Sequence, residues 1–123
     1  MANTLNWFEI PVTDFDRAKK FYDILLDAQI QKMEWGPTTM GFFPAQNQTD
    51  LGGAIVSGEG YIPSDKGVLV YFNGGDDLSN ILSRVEKAGG KILVPKTLIN
   101  EDYGFFAVFL DTEGNKLALH SPK

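Results

Sequence analysis

The apolar positions of this chain change their period in an orderly way. Leu5, Trp7, Phe8, Ile10 and Val12 form an apolar and aromatic run that predicts a strand. Period-two alternation sends Trp7, Glu9 and Pro11 to one face and Phe8, Ile10 and Val12 to the other. Thr13 and Asp14 then open a helix, with Asp16 placed favourably for its dipole in the first turn. Ala18, Phe21, Tyr22 and Leu25 recur at i, i+3, i+4 and i+7, which makes one apolar stripe, and the helix is expected to stop near Asp27 and Ala28. Short strands follow at Ile30 to Trp35, Thr39 to Phe43 and Gly53 to Ser57. Gly36 and Pro37 turn between the first two, and a polar loop from Pro44 to Asp50 precedes the third.

The same order then repeats. Gly67 to Phe72 is a strongly β-prone run, and Gly74, Gly75, Asp76 and Asp77 supply a turn with a capping candidate. Leu78, Ile81, Leu82, Val85 and Ala88 give a second helical stripe, stopped by Gly89 and Gly90. Lys91 to Val94 reads as a strand ended by Pro95, Phe105 to Leu110 as another, and Lys116 to His120 as the last, after a turn over Asp111 to Asn115. Gly58 to Asp65 has the composition of a linker. The expectation is a single α+β domain over residues 1–123, built from two βαβββ modules at about 5–57 and 67–120. One helix covers only part of each sheet's apolar surface. The modules are therefore expected to form curved mixed sheets around a central cleft with the helices outside, a concave place that suits a ligand.

Composition narrows the field. A formal charge of −5 argues against nucleic acid and anionic membrane as partners, since both call for basic patches. With no cysteine, disulfides, thiolate zinc sites and cysteine nucleophiles are excluded. The first six residues carry no basic side chain, and no apolar run approaches the roughly 18 residues that span a bilayer. A cytoplasmic protein without a membrane partner is expected.

Two stretches carry a family resemblance. Asp14 followed by Ala18, Phe21, Tyr22, Leu25 and Leu26 resembles the opening of the vicinal oxygen chelate superfamily, which includes glyoxalase I, bleomycin-resistance proteins and extradiol dioxygenases. The run Phe109, Leu110, Asp111, Thr112, Glu113, Gly114, Asn115, Lys116, Leu117 resembles that superfamily's closing hairpin. The resemblance implies a divalent metal held by up to four residues, two from each module. Carried over one by one, those positions are Trp7, seven residues before Asp14; Ala54 or Val56 in the fourth strand; Val68 beside Gly67; and Ala118, four residues after Gly114. None offers a donor to a hard or borderline cation, so neither a metal nor another cofactor is expected, which argues against Lewis-acid chemistry.

Alternation from those positions turns Trp7, Glu9, Met40, Phe42, Ala54, Val56, Val68, Val70, Ala118 and His120 towards the cleft. The ligand-binding candidates are Trp7, Met40, Phe42, Val56, Val68, Val70, Ala118 and Tyr103, the last of which, with Tyr61, either forms a lid or closes the barrel end. Glu9 and His120 are the catalytic candidates. Glu9 reads as an acid–base group or hydrogen-bond anchor, partnered by His120, or else as a rim ion pair; His120 reads as a general base or an idle strand end. The carboxylates of Glu101 and Asp102 lack calcium-loop spacing, and neither a phosphate-binding glycine loop nor a serine triad is present. The expected function is binding of an apolar or aromatic small molecule in a metal-free cleft. The alternatives are a lyase, isomerase or dioxygenase-related enzyme using Glu9 and His120 or a displaced metal, and an interaction module. Exposed sheet edges and the resemblance both suggest a homodimer, with the cleft formed within one chain or between two.

Overall fold

A computed structural model describes residues 4–45, 47 and 50–123. The chain forms β1 (Trp7–Pro11), α1 (Phe15–Leu26), β2 (Gln31–Trp35), β3 (Thr38–Phe42), β4 (Gly52–Ser57), β5 (Val70–Asn73), α2 (Ser79–Leu82), β6 (Lys91–Asn100), β7 (Gly104–Leu110) and β8 (Lys116–Ser121). The strands make two four-stranded mixed sheets, ordered β1-β4-β3-β2 and β5-β8-β7-β6. In each, the first strand pairs parallel with the last and the other pairs are antiparallel. The α+β architecture with two βαβββ modules is as expected.

The repeat holds at the level of register. Glu9 stands opposite Ala54 and Pro11 opposite Val56; Tyr71 stands opposite Ala118 and Asn73 opposite His120. The amide of Val12 donates to the Val56 carbonyl at 2.9 Å, and that of Gly74 to the His120 carbonyl at 2.6 Å. Glu9 and Tyr71 therefore occupy the same place in the two modules.

Helix α1 joins the halves. The Asp14 carboxylate caps it by accepting from the Arg17 amide at 3.1 Å, and Asp27 ends it in the left-handed region at φ 50. Phe15, Ala18, Phe21, Tyr22 and Leu25 are all buried. Phe15 lies on Gly41 of β3, where a Cβ would come within 3.0 Å of its ring. Phe21 packs on Phe109 of β7 with centroids 6.2 Å apart, and Tyr22 on Phe72 of β5 at 6.0 Å. One apolar cluster thus runs from Ile10, Val12 and Ile55 through α1 to Ala107, Phe109, Leu117 and Leu119.

Polar contacts lock that junction. The Tyr22 hydroxyl donates to Asp111 at 2.7 Å, and burial beside that carboxylate drives its pKa well above the usual value. Glu113 Oε1 accepts from the Thr13 and Asp14 amides at 3.0 and 2.8 Å, while Arg17 Nε donates to Oε2 at 2.7 Å. Burial pushes the Glu113 pKa up, but Arg17 and the two amides outweigh it and hold the carboxyl below its ordinary value. Asn115 Nδ2 donates to the Pro11 carbonyl at 2.7 Å, and Arg84 Nε to the Leu25 carbonyl at 2.9 Å.

Three elements depart from expectation. Strand β5 begins at Val70 rather than Gly67, because Gly67 adopts φ +93 and breaks the extended run. Regular α2 lasts four residues instead of reaching Ala88. Its cap position is Leu78, which makes no side-chain cap bond; Ser83 Oγ donates to the Asn80 carbonyl at 2.8 Å, and the amides of Arg84 and Val85 reach back only three residues. Strand β6 runs through Pro95 to Asn100, since it is an edge strand whose pairing with β7 slips between Val94 and Thr97, so the missing amide leaves no gap in the ladder. The loop expected over Pro44 to Asp50 lies in part outside the described residues. Among those described, no helix is long and apolar enough to cross a membrane.

Candidate functional site

Because α1 packs on both sheets, each sheet spends one face on the shared core and turns the other outward. On the first sheet, register places Trp7, Glu9, Ala54, Val56, Met40 and Phe42 on that outward face. Met40, Ala54 and Val56 are nonetheless buried, because Phe42 and Tyr61 pack over them. Trp7 lies across β4, its ring 6.0 Å from that of Phe42. Gly52 makes this possible, since a Cβ there would sit 2.9 Å from the indole.

Glu9 is the polar centre of this face. Trp7 Nε1 donates to Oε2 at 3.4 Å, and the Tyr61 hydroxyl donates to Oε1 at 3.1 Å. The bond to the Glu9 carboxylate raises the Tyr61 pKa, since loss of the phenol proton would set two anions side by side. Both oxygens thus accept from neutral donors, and among the described residues Glu9 makes no ion pair; the arginine or lysine partner considered from sequence is not what holds it.

On the second sheet, Tyr71, Asn73, Ala118, His120, Phe106 and Val108 share the outward face. His120 Nε2 meets the Tyr103 carbonyl at 2.5 Å, a contact in which Nε2 is the donor because a carbonyl oxygen can only accept. Tyr103 itself is exposed, its amide donating to Asn100 Oδ1 at 2.7 Å.

The sequence candidates therefore separate. Trp7, Glu9, Met40, Phe42, Ala54 and Val56 come together on one sheet; Ala118 and His120 come together on the other, with Tyr103 beside them. Glu9 and His120 do not meet. Val70 is opposite Leu117, not Ala118, and so packs into the helix-side core. Val68 precedes β5 and is 93% exposed. Both valines line a crevice of about 780 Å³ beside the edge of β5, with Phe8, Phe43, Phe72 and Ile81, and a smaller one of about 210 Å³ that Glu9 shares. Tyr71, Asn73, Phe106 and Val108 were missed. The signal for the first two was present: in Val70, Tyr71, Phe72, Asn73, the purely apolar members alternate with the amphipathic ones, so the helix side takes Val70 and Phe72.

The donor set does not fit a resident divalent cation. Trp7, Ala54, Val56 and Ala118 bring no ligand atom, both Glu9 oxygens already accept from neutral donors, and no group of three or more histidine, cysteine, aspartate or glutamate residues gathers among the described residues.

Comparison with known proteins agrees with this fold. Residues 4–119 match the family model described as Glyoxalase/Bleomycin resistance protein/Dioxygenase superfamily. A "Glyoxylase-like domain-containing protein" of Didymella fabae is 33% identical over 118 residues, covering 94% of this chain and 91% of its own. A glyoxalase I mutant from Zea mays superposes with a TM-score of 0.73 at 20% identity, over 96% of this chain and 46% of that longer one. TnmS3, an antibiotic binding protein from Streptomyces sp. CB03234, gives 0.65 at 21% identity over 100% and 99%. Likenesses at such identity establish the fold alone.

Proposed function

The chain belongs to the Glyoxalase/Bleomycin resistance protein/Dioxygenase superfamily, and we propose that it binds an apolar or aromatic small molecule on the outward face of its first sheet, without a metal. The observation that carries this reading is the Glu9 carboxylate clasped by Trp7 and Tyr61 above a floor of Met40, Ala54 and Val56. A lone carboxylate amid apolar and aromatic surface is the usual composition of a ligand site: a large apolar contact with one polar group to fix orientation. That a protein of the same fold is an antibiotic binding protein is consistent with it.

The cleft closes in a homodimer. A second copy that brings its Tyr71, Asn73 and His120 would supply a further wall for the face bearing Glu9. Exposed Trp7, Met33, Trp35 and Tyr71 would then be covered. Action in the cytoplasm, away from nucleic acid, completes the reading.

Titrating purified protein with a panel of aromatic compounds, read by indole fluorescence and melting temperature, tests it. Saturable binding that weakens in Glu9→Gln supports the reading; no stabilising compound overturns it. Stoichiometric divalent ion that survives dialysis would refute the metal-free part, and a monomer by light scattering the dimer.

A further inference from the structure

We infer that Tyr61 occupies the ligand's own position, so that the compound this face accepts is a hydroxylated aromatic ring. The inference rests on the reading above and names the ligand class for that site. Tyr61 belongs to the segment between the modules, not to either sheet, and is tied there by its amide, which donates to the Gly58 carbonyl at 3.2 Å. Its ring packs on the Met40, Ala54 and Val56 floor, and its hydroxyl donates to Glu9 Oε1. A planar ring against an apolar floor with one neutral donor on the carboxylate is a phenol bound to this protein, supplied by the chain itself. The second Glu9 oxygen keeps its bond from Trp7, so the carboxylate remains oriented when the phenol leaves. Only Oε1 changes partner, and only another neutral donor satisfies it without bringing in a charge.

The strap consequently competes with the ligand. If the covered state is the dominant one, apparent affinity falls by the fraction of molecules with the floor free. The test uses 2-naphthol and naphthalene as probes, titrated into the full chain and into Tyr61→Ala, Tyr61→Phe and Tyr61→Ala combined with Glu9→Gln. Tyr61→Ala is expected to bind 2-naphthol about tenfold more tightly than the parent. Tyr61→Phe keeps the covering ring and its packing, frees Oε1, and is expected to gain less. In the Tyr61→Ala background, 2-naphthol should bind more tightly than naphthalene, and Glu9→Gln should abolish that preference. Weaker or unchanged 2-naphthol binding in Tyr61→Ala would make Tyr61 a wall of the site and overturn the inference. Tighter but equal binding of the two probes would overturn the hydroxyl requirement while leaving the aromatic-binding reading intact; failure of every variant to bind either probe would end both.

Discussion

The two modules share order and register yet invest them differently. In the first, a twelve-residue helix has a side-chain cap and five buried residues; in the second, regular helix lasts four residues, with no side-chain cap and none of the four buried. The outward face of the first sheet is partly roofed by Tyr61 and centred on a held carboxylate, while that of the second leaves Tyr71 half exposed. Duplication supplied two equivalent scaffolds. The polar anchor and its cover arose from what stands at one position of the repeat, Glu9 against Tyr71, and from the segment between the modules.

This asymmetry can be broken at several points. The largest effect is expected at α1, which serves both sheets: Phe21→Ala should lower unfolding free energy by about 3–4 kcal/mol, against roughly 1 kcal/mol for half-buried Ile81→Ala, in denaturant titrations. Equal costs would mean the helices share the work. Glu113→Ala should cost about 2 kcal/mol, because it orphans two amides at the start of α1 and frees Arg17. Since the folded pKa of Glu113 is depressed, its contribution is present above the ordinary value of 4.5 and is lost as pH falls through the lower folded value. Acid titration of parent and variant should therefore converge at low pH. Glu9→Gln should weaken aromatic binding about tenfold, or about 1.4 kcal/mol. Tyr71→Ala sharpens the contrast: weaker binding would place the second face opposite the first through a partner copy, and unchanged binding would leave the first face to work alone. The smallest effect belongs to Asp77, whose pKa is lowered to about 2 by the Ser79 amide and by Lys96. Asp77→Asn should lower stability slightly at neutrality and flatten its fall between about pH 4 and pH 2, so that parent and variant converge at low pH.

Much of this was legible in the residues because the pattern of burial is itself periodic. The α1 stripe, the two hairpin turns and the strand containing Glu9 follow directly from alternation and capping chemistry. The face assignment of β5 does not hold because alternation is taken from Val68, which lies ahead of the strand, and parity is defined only within the extended run that begins at Val70. Helix α2 was overextended because an apolar stripe records which side chains are buried, not which backbone bonds form; Leu78 and Val85 are fully buried although the regular helix ends between them. The hold on Glu9 lay out of reach for a different reason. Tyr61 is 52 positions away in a stretch of loop composition, and no periodicity reports where such a side chain comes to rest.

Pro95 has a consequence beyond its own strand. A ten-residue rim would otherwise be a ready template on which further chains could stack, recruiting one another into fibres. An imino acid at a slipped register spoils that template near its middle.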